Sequence, residues 1–304
     1  MDQWKFFTYF FIFSILIYIK QAQAILGGDE VTNNVFSYTV ALRRYGVVYC
    51  SGSIIGKNYV VTAAHCVYRD DNVRFNHAPL EVIANTTNYR NRGATTVIAD
   101  VDSVYFPNEY KSIVKGFARI GDIAVLKLQQ DLDLTISSGI NKVFLPPDTH
   151  TFYTNELMQF TGYGWDWYVK GPKSERSHIV KDGGSSGKLR MSQMRFTHNL
   201  HDCKHIFGLK LDTKRHECVR MDSPLSDSGV FEGDDGGPLV YKNTLVGVLS
   251  KFSREISDFM RPAIYTQVSK FRNFIINVRT VEPNHDVKTV TTIKLSNAQT
   301  YYGK

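Results

Sequence analysis

Gly233-Asp234-Asp235-Gly236-Gly237-Pro238 sets two adjacent carboxylates between glycines, just ahead of the apolar pair Leu239-Val240. Outward from it, short runs rich in Val, Ile, Tyr and Thr occupy residues 37–42, 53–55, 60–62, 123–128, 159–162, 238–241 and 245–250. Gly, Pro, Asn and Asp separate them, and β-branched runs bounded by turn formers predict strands. Many short strands without alternating long helices predict a β-barrel or sandwich rather than a parallel α/β sheet. Two segments read as helical: residues 199–207, and residues 268–278, where Val268, Phe271, Ile275 and Val278 fall at helical spacing. Residues 165–188, with Asp182-Gly183-Gly184-Ser185-Ser186-Gly187, have the composition of an extended surface loop. Residues 281–304 are mostly polar and read as a C-terminal tail, a candidate for disorder.

The chain has 304 residues, 43% of them hydrophobic and 13% aromatic, which suffices to bury the core of one β-rich domain of roughly 200–250 residues. Lys5, the apolar run at residues 6–19 and Ala22-Gln23-Ala24 have the pattern of a secretory signal over residues 1–24. A membrane anchor is the alternative, but the 14 residues of that run fall short of the roughly 20 a spanning helix needs. The mature chain is therefore expected to be secreted and extracellular. Without residues 1–24 the net charge drops from +7 to +6, since Lys5, Lys20 and Asp2 are lost. The basic residues are dispersed and form no run of the kind that marks nucleic-acid binding. Four cysteines in a secreted chain predict two disulfides, with three pairings open on spacing alone. Asn85-Thr86-Thr87 is a glycosylation sequon in a polar stretch, so Asn85 is a candidate glycan carrier.

Four segments, in order, carry a resemblance: Ile25-Leu26-Gly27-Gly28; Val61-Thr62-Ala63-Ala64-His65-Cys66; Gly121-Asp122-Ile123-Ala124-Val125-Leu126-Lys127-Leu128; and Gly233-Asp234-Asp235-Gly236-Gly237-Pro238-Leu239-Val240. Together they resemble the trypsin/chymotrypsin (S1) family over roughly residues 25–280. The resemblance implies an all-β fold of two packed six-stranded antiparallel β-barrels with a C-terminal helix. It also implies that His65 holds the place of the catalytic base and Asp122 that of the carboxylate orienting it, with the amides of Gly233 and Asp235 at the oxyanion hole.

Asp235 stands where the attacking serine is expected. A carboxylate is already ionised at neutral pH, so it does not call on His65 as a base, and its attack on an amide would form an anhydride. The carboxylate is a far better leaving group than the amine, so that adduct collapses back to substrate. The charge also opposes an oxyanion and favours imidazolium at His65, which is not a base. Loss of the nucleophile in such a triad costs on the order of 10⁶ in turnover. A carboxylate nucleophile for glycosyl or phosphoryl transfer would need an acid partner or a metal site, and no such equipment is evident.

The resemblance places Gly229 at the base of the substrate pocket, where trypsins carry an aspartate. Ser250-Lys251-Phe252 stands at the substrate-aligning edge, usually Ser-Trp-Gly, and Ala263 replaces a glycine wall. Phe231 occupies a cysteine position of the disulfide that braces the pocket. The remaining cysteines imply the bridges Cys50–Cys66 and Cys203–Cys218. Nothing but the signal precedes Ile25, so signal cleavage would free the amine expected to pair with Asp234 in a buried ion pair.

The expected function is that of a secreted, catalytically inactive serine protease homologue that binds proteins: protease substrates, inhibitors or components of proteolytic cascades. The alternatives are an active or residually active S1 endopeptidase, and a secreted module that binds metal or a polyanion. His198, His201 and His205 could offer imidazoles to zinc from one helix face, although a solvated face is the plainer reading. No cofactor and no metal are expected. Tyr163, Trp165, Trp167 and Tyr168 divide between packing and an exposed partner anchor.

Overall fold

The computed structural model describes residues 25, 28–70, 72, 76–111, 118–147, 156–173, 177–196, 200–212, 214–221, 229–253, 255–257, 262–280 and 290–295. The short strand β1, Asp29–Glu30, comes first. Six strands follow: β2 Thr39–Arg44, β3 Val47–Gly56, β4 Tyr59–Thr62, β5 Glu81–Ala84, β6 Val97–Pro107 and β7 Ala124–Leu128. They pair antiparallel in the order β6-β5-β2-β3-β4-β7, and β6 closes onto β7 to complete a six-stranded barrel.

The second barrel begins with β8, Leu157–Gly162. Next come β9 Trp167–Lys173, β10 Ser177–Gly184, β11 Arg190–Phe196, helix α1 Leu200–Phe207 and β12 His216–Met221. Then follow β13 Pro238–Tyr241, β14 Thr244–Phe252, β15 Glu255–Ser257, β16 Ala263–Gln267 and helix α2 Arg272–Thr280. The order β11-β12-β16-β14-β13-β8, closed by β11 on β8, gives a second six-stranded barrel.

Each barrel encloses an apolar cluster. Leu42, Ile54, Val60, Ile83, Val104 and Leu126 are among the buried residues of the first, and Ile25, Phe160, Leu239, Leu249 and Tyr265 among those of the second. Alternation along the strands aims these side chains inward. Helix α2 lays Ile275 and Val278 on the first barrel, with Val268 and Phe271 from the preceding 3₁₀ turn Val268–Phe271. The helical spacing in the sequence marks this buried face correctly. The barrels meet through a buried hydrogen bond between the Thr39 and Thr161 hydroxyls, 2.6 Å.

Two stretches depart from expectation. The segment read as an extended loop forms a β9–β10 hairpin, to which β15 adds a third strand. The segment read as a polar tail contributes β17, Val290–Lys294, paired antiparallel with β6. There Ile293 and Leu295 are buried in the first barrel's cluster. Two apolar residues among polar ones are too few to give a strand signal alone, and the open edge of β6 supplies the missing half of the pattern. No described helix is long and apolar enough to cross a membrane.

Candidate active site

His65 lies in a single 3₁₀ turn, Ala64–Cys66, just beyond β4. The Cys50–Cys66 disulfide ties this turn to β3, and Cys203–Cys218 ties α1 to β12, matching the implied pairing. Asp122 follows Gly121, whose φ of +67° turns the chain into β7. The fully buried Asp122 carboxylate accepts from the His65 backbone amide at 2.9 Å, from His65 Nδ1 at 2.8 Å and from the Ser250 hydroxyl at 2.5 Å. Burial alone would raise its pKa, but the His65 charge and hydrogen bond, aided by Arg119 and Ser250, hold it down at about 2.

The loop from the second barrel brings Asp235 to the other side of the ring, its Oδ1 3.5 Å from His65 Nε2. His65 thus lies between two carboxylates. Burial would lower its pKa, yet Asp122 first and Asp235 second raise it to about 9, so the ring is imidazolium at neutral pH. Gly233 and Gly236 carry the loop through left-handed φ of +90° and +78°. A Cβ on Gly236 would strike the Thr62 hydroxyl and the Ser51 carbonyl, so glycine is needed there for closeness as well as conformation. The loop is held to the first barrel by Ser51, whose amide donates to the Asp235 carbonyl at 2.8 Å and whose hydroxyl donates to the Gly233 carbonyl at 3.0 Å.

Asp234 points the opposite way, fully buried, and accepts from the amides of Gly164 at 2.8 Å and Phe231 at 2.9 Å. Burial pushes its pKa up to about 7 against the pull of those amides. A Cβ at Gly162 or Gly164 would strike this carboxylate, so both glycines make room for it. Ile25, also fully buried, belongs to the second barrel's apolar cluster.

Among the pocket candidates, Gly229 and Ala263 are buried and Ala263 pairs with Phe252 across β16 and β14. Phe231 packs between Trp165 and Phe252, with ring centroids 5.9 and 5.5 Å apart. Lys251 turns its ammonium over the Phe207 ring of α1, 5.8 Å from its centroid, so it leans on the helix instead of joining the Phe231–Phe252 stack. Tyr163 is buried, and its hydroxyl donates to the Thr86 carbonyl at 2.6 Å, whereas Trp167 is 45% exposed. The Tyr168 side chain lies outside the described residues.

Sequence reasoning passes over two residues here. Arg119 Nη1 donates to the Ser250 carbonyl at 2.9 Å, capping a main-chain acceptor beside the His65–Asp122 pair. Buried His216 accepts from the Asp212 amide at Nδ1, which makes Nε2 the donor to the Arg119 carbonyl at 2.7 Å. Arg119 sits three residues before Asp122, but a lone arginine in a connecting segment carries no signal of that contact.

Asn85, the candidate glycan carrier, lies in a buried setting. It is only 4% exposed, and its Nδ2, where a sugar would attach, donates to the carbonyls of Thr95 and Ser138 at 3.0 Å each. A glycan would replace one of the two Nδ2 hydrogens and so remove at least one of these bonds. His205 is exposed on α1, while the side chains of His198 and His201 lie outside the described residues. Among the described residues one cluster groups metal-capable atoms, Cys50, His65 and Cys66, and its two sulfurs are spent on the disulfide.

Two closed six-stranded barrels, with a His–Asp pair from one and a glycine-turned loop from the other, define a chymotrypsin-like protein. A family model described as Trypsin matches residues 25–275, and the chain belongs to that family. It is similar to Hypodermin-A of Hypoderma lineatum, 28% identical over 83% of this chain and 86% of the relative. It is also similar to Mast cell protease 2 of Ovis aries, 27% identical over 85% of this chain and 92% of the relative. Brachyurin of Leptuca pugilator is 27% identical over 83% of this chain and 96% of the relative.

Proposed function

We propose that this is a secreted serine protease homologue that has lost peptide cleavage and acts by binding proteins that active proteases also bind. The observation that carries the reading is that the Asp235 carboxylate lies 3.5 Å from His65 Nε2, the side of the ring from which a nucleophile would be deprotonated. An anion there adds to Asp122 in holding His65 protonated, and an imidazolium has no lone pair with which to take a proton. The Arg119 cap on Ser250 and the Trp165–Phe231–Phe252 stack support the same reading, because the first engages a main-chain acceptor beside the His65–Asp122 pair and the second puts packed aromatic rings where the resemblance sets a substrate pocket.

The amine of Ile25, freed when residues 1–24 are removed, pairs with Asp234. Two buried groups in one core support this, since a fully buried carboxylate is costly without a cation. The scaffold is thereby set on secretion, and its surface remains available as a decoy or modulator in a proteolytic cascade. The test uses purified protein beginning at Ile25, incubated with a broad peptide library and a fluorophosphonate label. Neither turnover nor labelling is expected. Turnover that tracks protein purity would overturn the reading.

A further inference from the structure

At the far end of β3 from the His65 turn, a recess of about 230 Å³ opens between α2 and residues 142–145. Cys50, bonded to the His65 turn, and Gly56, beside the recess, are six strand residues apart, about 20 Å, so this is a separate surface. Ile55 and Ile276 line it, and Phe144, 57% exposed, adds an aromatic wall. Among the described residues three cations also line it, Lys142, Arg272 and Arg279, and no acidic residue does. The Arg279 guanidinium lies over Gly56, where a Cβ would meet its Nη2 at 3.4 Å, an ordinary van der Waals contact. The Val143 amide donates to the Ile54 carbonyl at 3.0 Å, fixing the opposite wall.

The geometry points to a docking site for an acidic peptide segment of a partner protein, one that sets an apolar side chain between carboxylates. Roughly 150 Å³ is enough to hold a benzene ring, so the recess takes one large side chain while the exposed Lys142 and Arg279 meet flanking acids. The apolar lining selects a peptide over a sulfated glycan, which has no side chain to put there. The site stands apart from the cleft, so it holds whether or not the cleft is silent.

The test is fluorescence anisotropy on the full mature chain with fluorescein-labelled Glu-Glu-Phe-Glu-Glu. Saturable binding is expected. It weakens at least about tenfold when Phe is replaced by Ala in the peptide, and again between roughly 50 and 500 mM salt. Arg279→Glu abolishes it and Arg279→Gln weakens it, while Lys294→Glu, the same charge change on exposed β17, leaves it unchanged. Absence of binding, or equal loss with Lys294→Glu, overturns the proposal. So does a heparin fragment that binds in the peptide's place, or a tenfold gain on neutralising Glu282 and Asp286, which would make the occupant the chain's own next segment.

Discussion

Asp235 Oδ1 and His65 Nε2 lie 3.5 Å apart, with Asp122 on the other ring nitrogen at 2.8 Å, so one imidazole is shared by two carboxylates. Its titration follows. The His65 ring, followed by NMR, should titrate near 9, and Asp235→Asn should lower that value by about one unit. Because the folded value lies above the ordinary 6.5, this group's stabilisation is complete below about 6.5 and is lost as pH rises through about 9. A ring that titrates near 6.5 in the wild type would contradict the arrangement.

Restoring a hydroxyl should not restore an enzyme. Asp235→Ser removes the charge but leaves Arg119 on the Ser250 carbonyl and Phe252 stacked on Phe231. Its kcat/KM on peptide substrates should stay below about 10² M⁻¹s⁻¹, against the roughly 10⁴–10⁸ typical of enzymes. Adding Arg119→Ala and Phe252→Gly should raise it. Robust turnover in the single variant would show that neither residue obstructs the cleft.

If the proposed Ile25–Asp234 pair forms, stability depends on the state of Ile25. With residue 24 still attached, the Asp234 folded pKa of about 7 lies above the ordinary 3.8, so that stabilisation is present below 3.8 and lost as pH rises through about 7. A free Ile25 ammonium reverses the balance at high pH by pairing with the carboxylate. Protein beginning at Ile25 should therefore melt several degrees above protein with residues added before it at pH 8, and the gap should close toward pH 4. Equal melting temperatures at pH 8 would count against the ion pair.

Asn85 should be unglycosylated when the chain is expressed through a secretory host, as intact-mass measurement reads directly. Asn85→Ala loses two buried hydrogen bonds and places alanine at φ +53°, which together should cost about 2–4 kcal/mol in denaturant unfolding. Asn85→Gly should cost less, because only the hydrogen bonds are lost.

The Cys50–Cys66 bridge closes a span of 16 residues, and the double alanine variant should lose about 3 kcal/mol. The expected sign is a lower midpoint of unfolding. An unchanged midpoint would mean that the turn around His65 is held without the bridge, by Asp122 on the His65 amide and by the Tyr49 hydroxyl on the Cys66 carbonyl.

The motif-bearing strands were legible because their own residues carry the pattern: 238–241 coincides with β13, and 60–62 falls within β4. Strand β6 was missed because Asp100 and Asp102 interrupt its apolar residues, and its inward face emerges only once the barrel closes. At the site, His65, Asp122, Gly233 and Asp235 were legible through their neighbours in sequence. Arg119, His216 and the Phe231–Phe252 stack were not, since each depends on distant segments meeting. The burial of Asn85 was not legible for a related reason: a sequon gives composition, but the contacts of the side chain are set by the distant carbonyls of Thr95 and Ser138.

Strand β1 precedes the first barrel yet pairs with β11 of the second, and β17 follows the second yet pairs with β6 of the first. The halves therefore interlock like clasped hands, each keeping hold of a strand encoded on the other side. A nick in the connection between them should leave two fragments that stay together and reassemble after dilution from denaturant. The molecule is thus suited to working as a split pair, and neither half can be deleted or exchanged without stripping an edge from its neighbour.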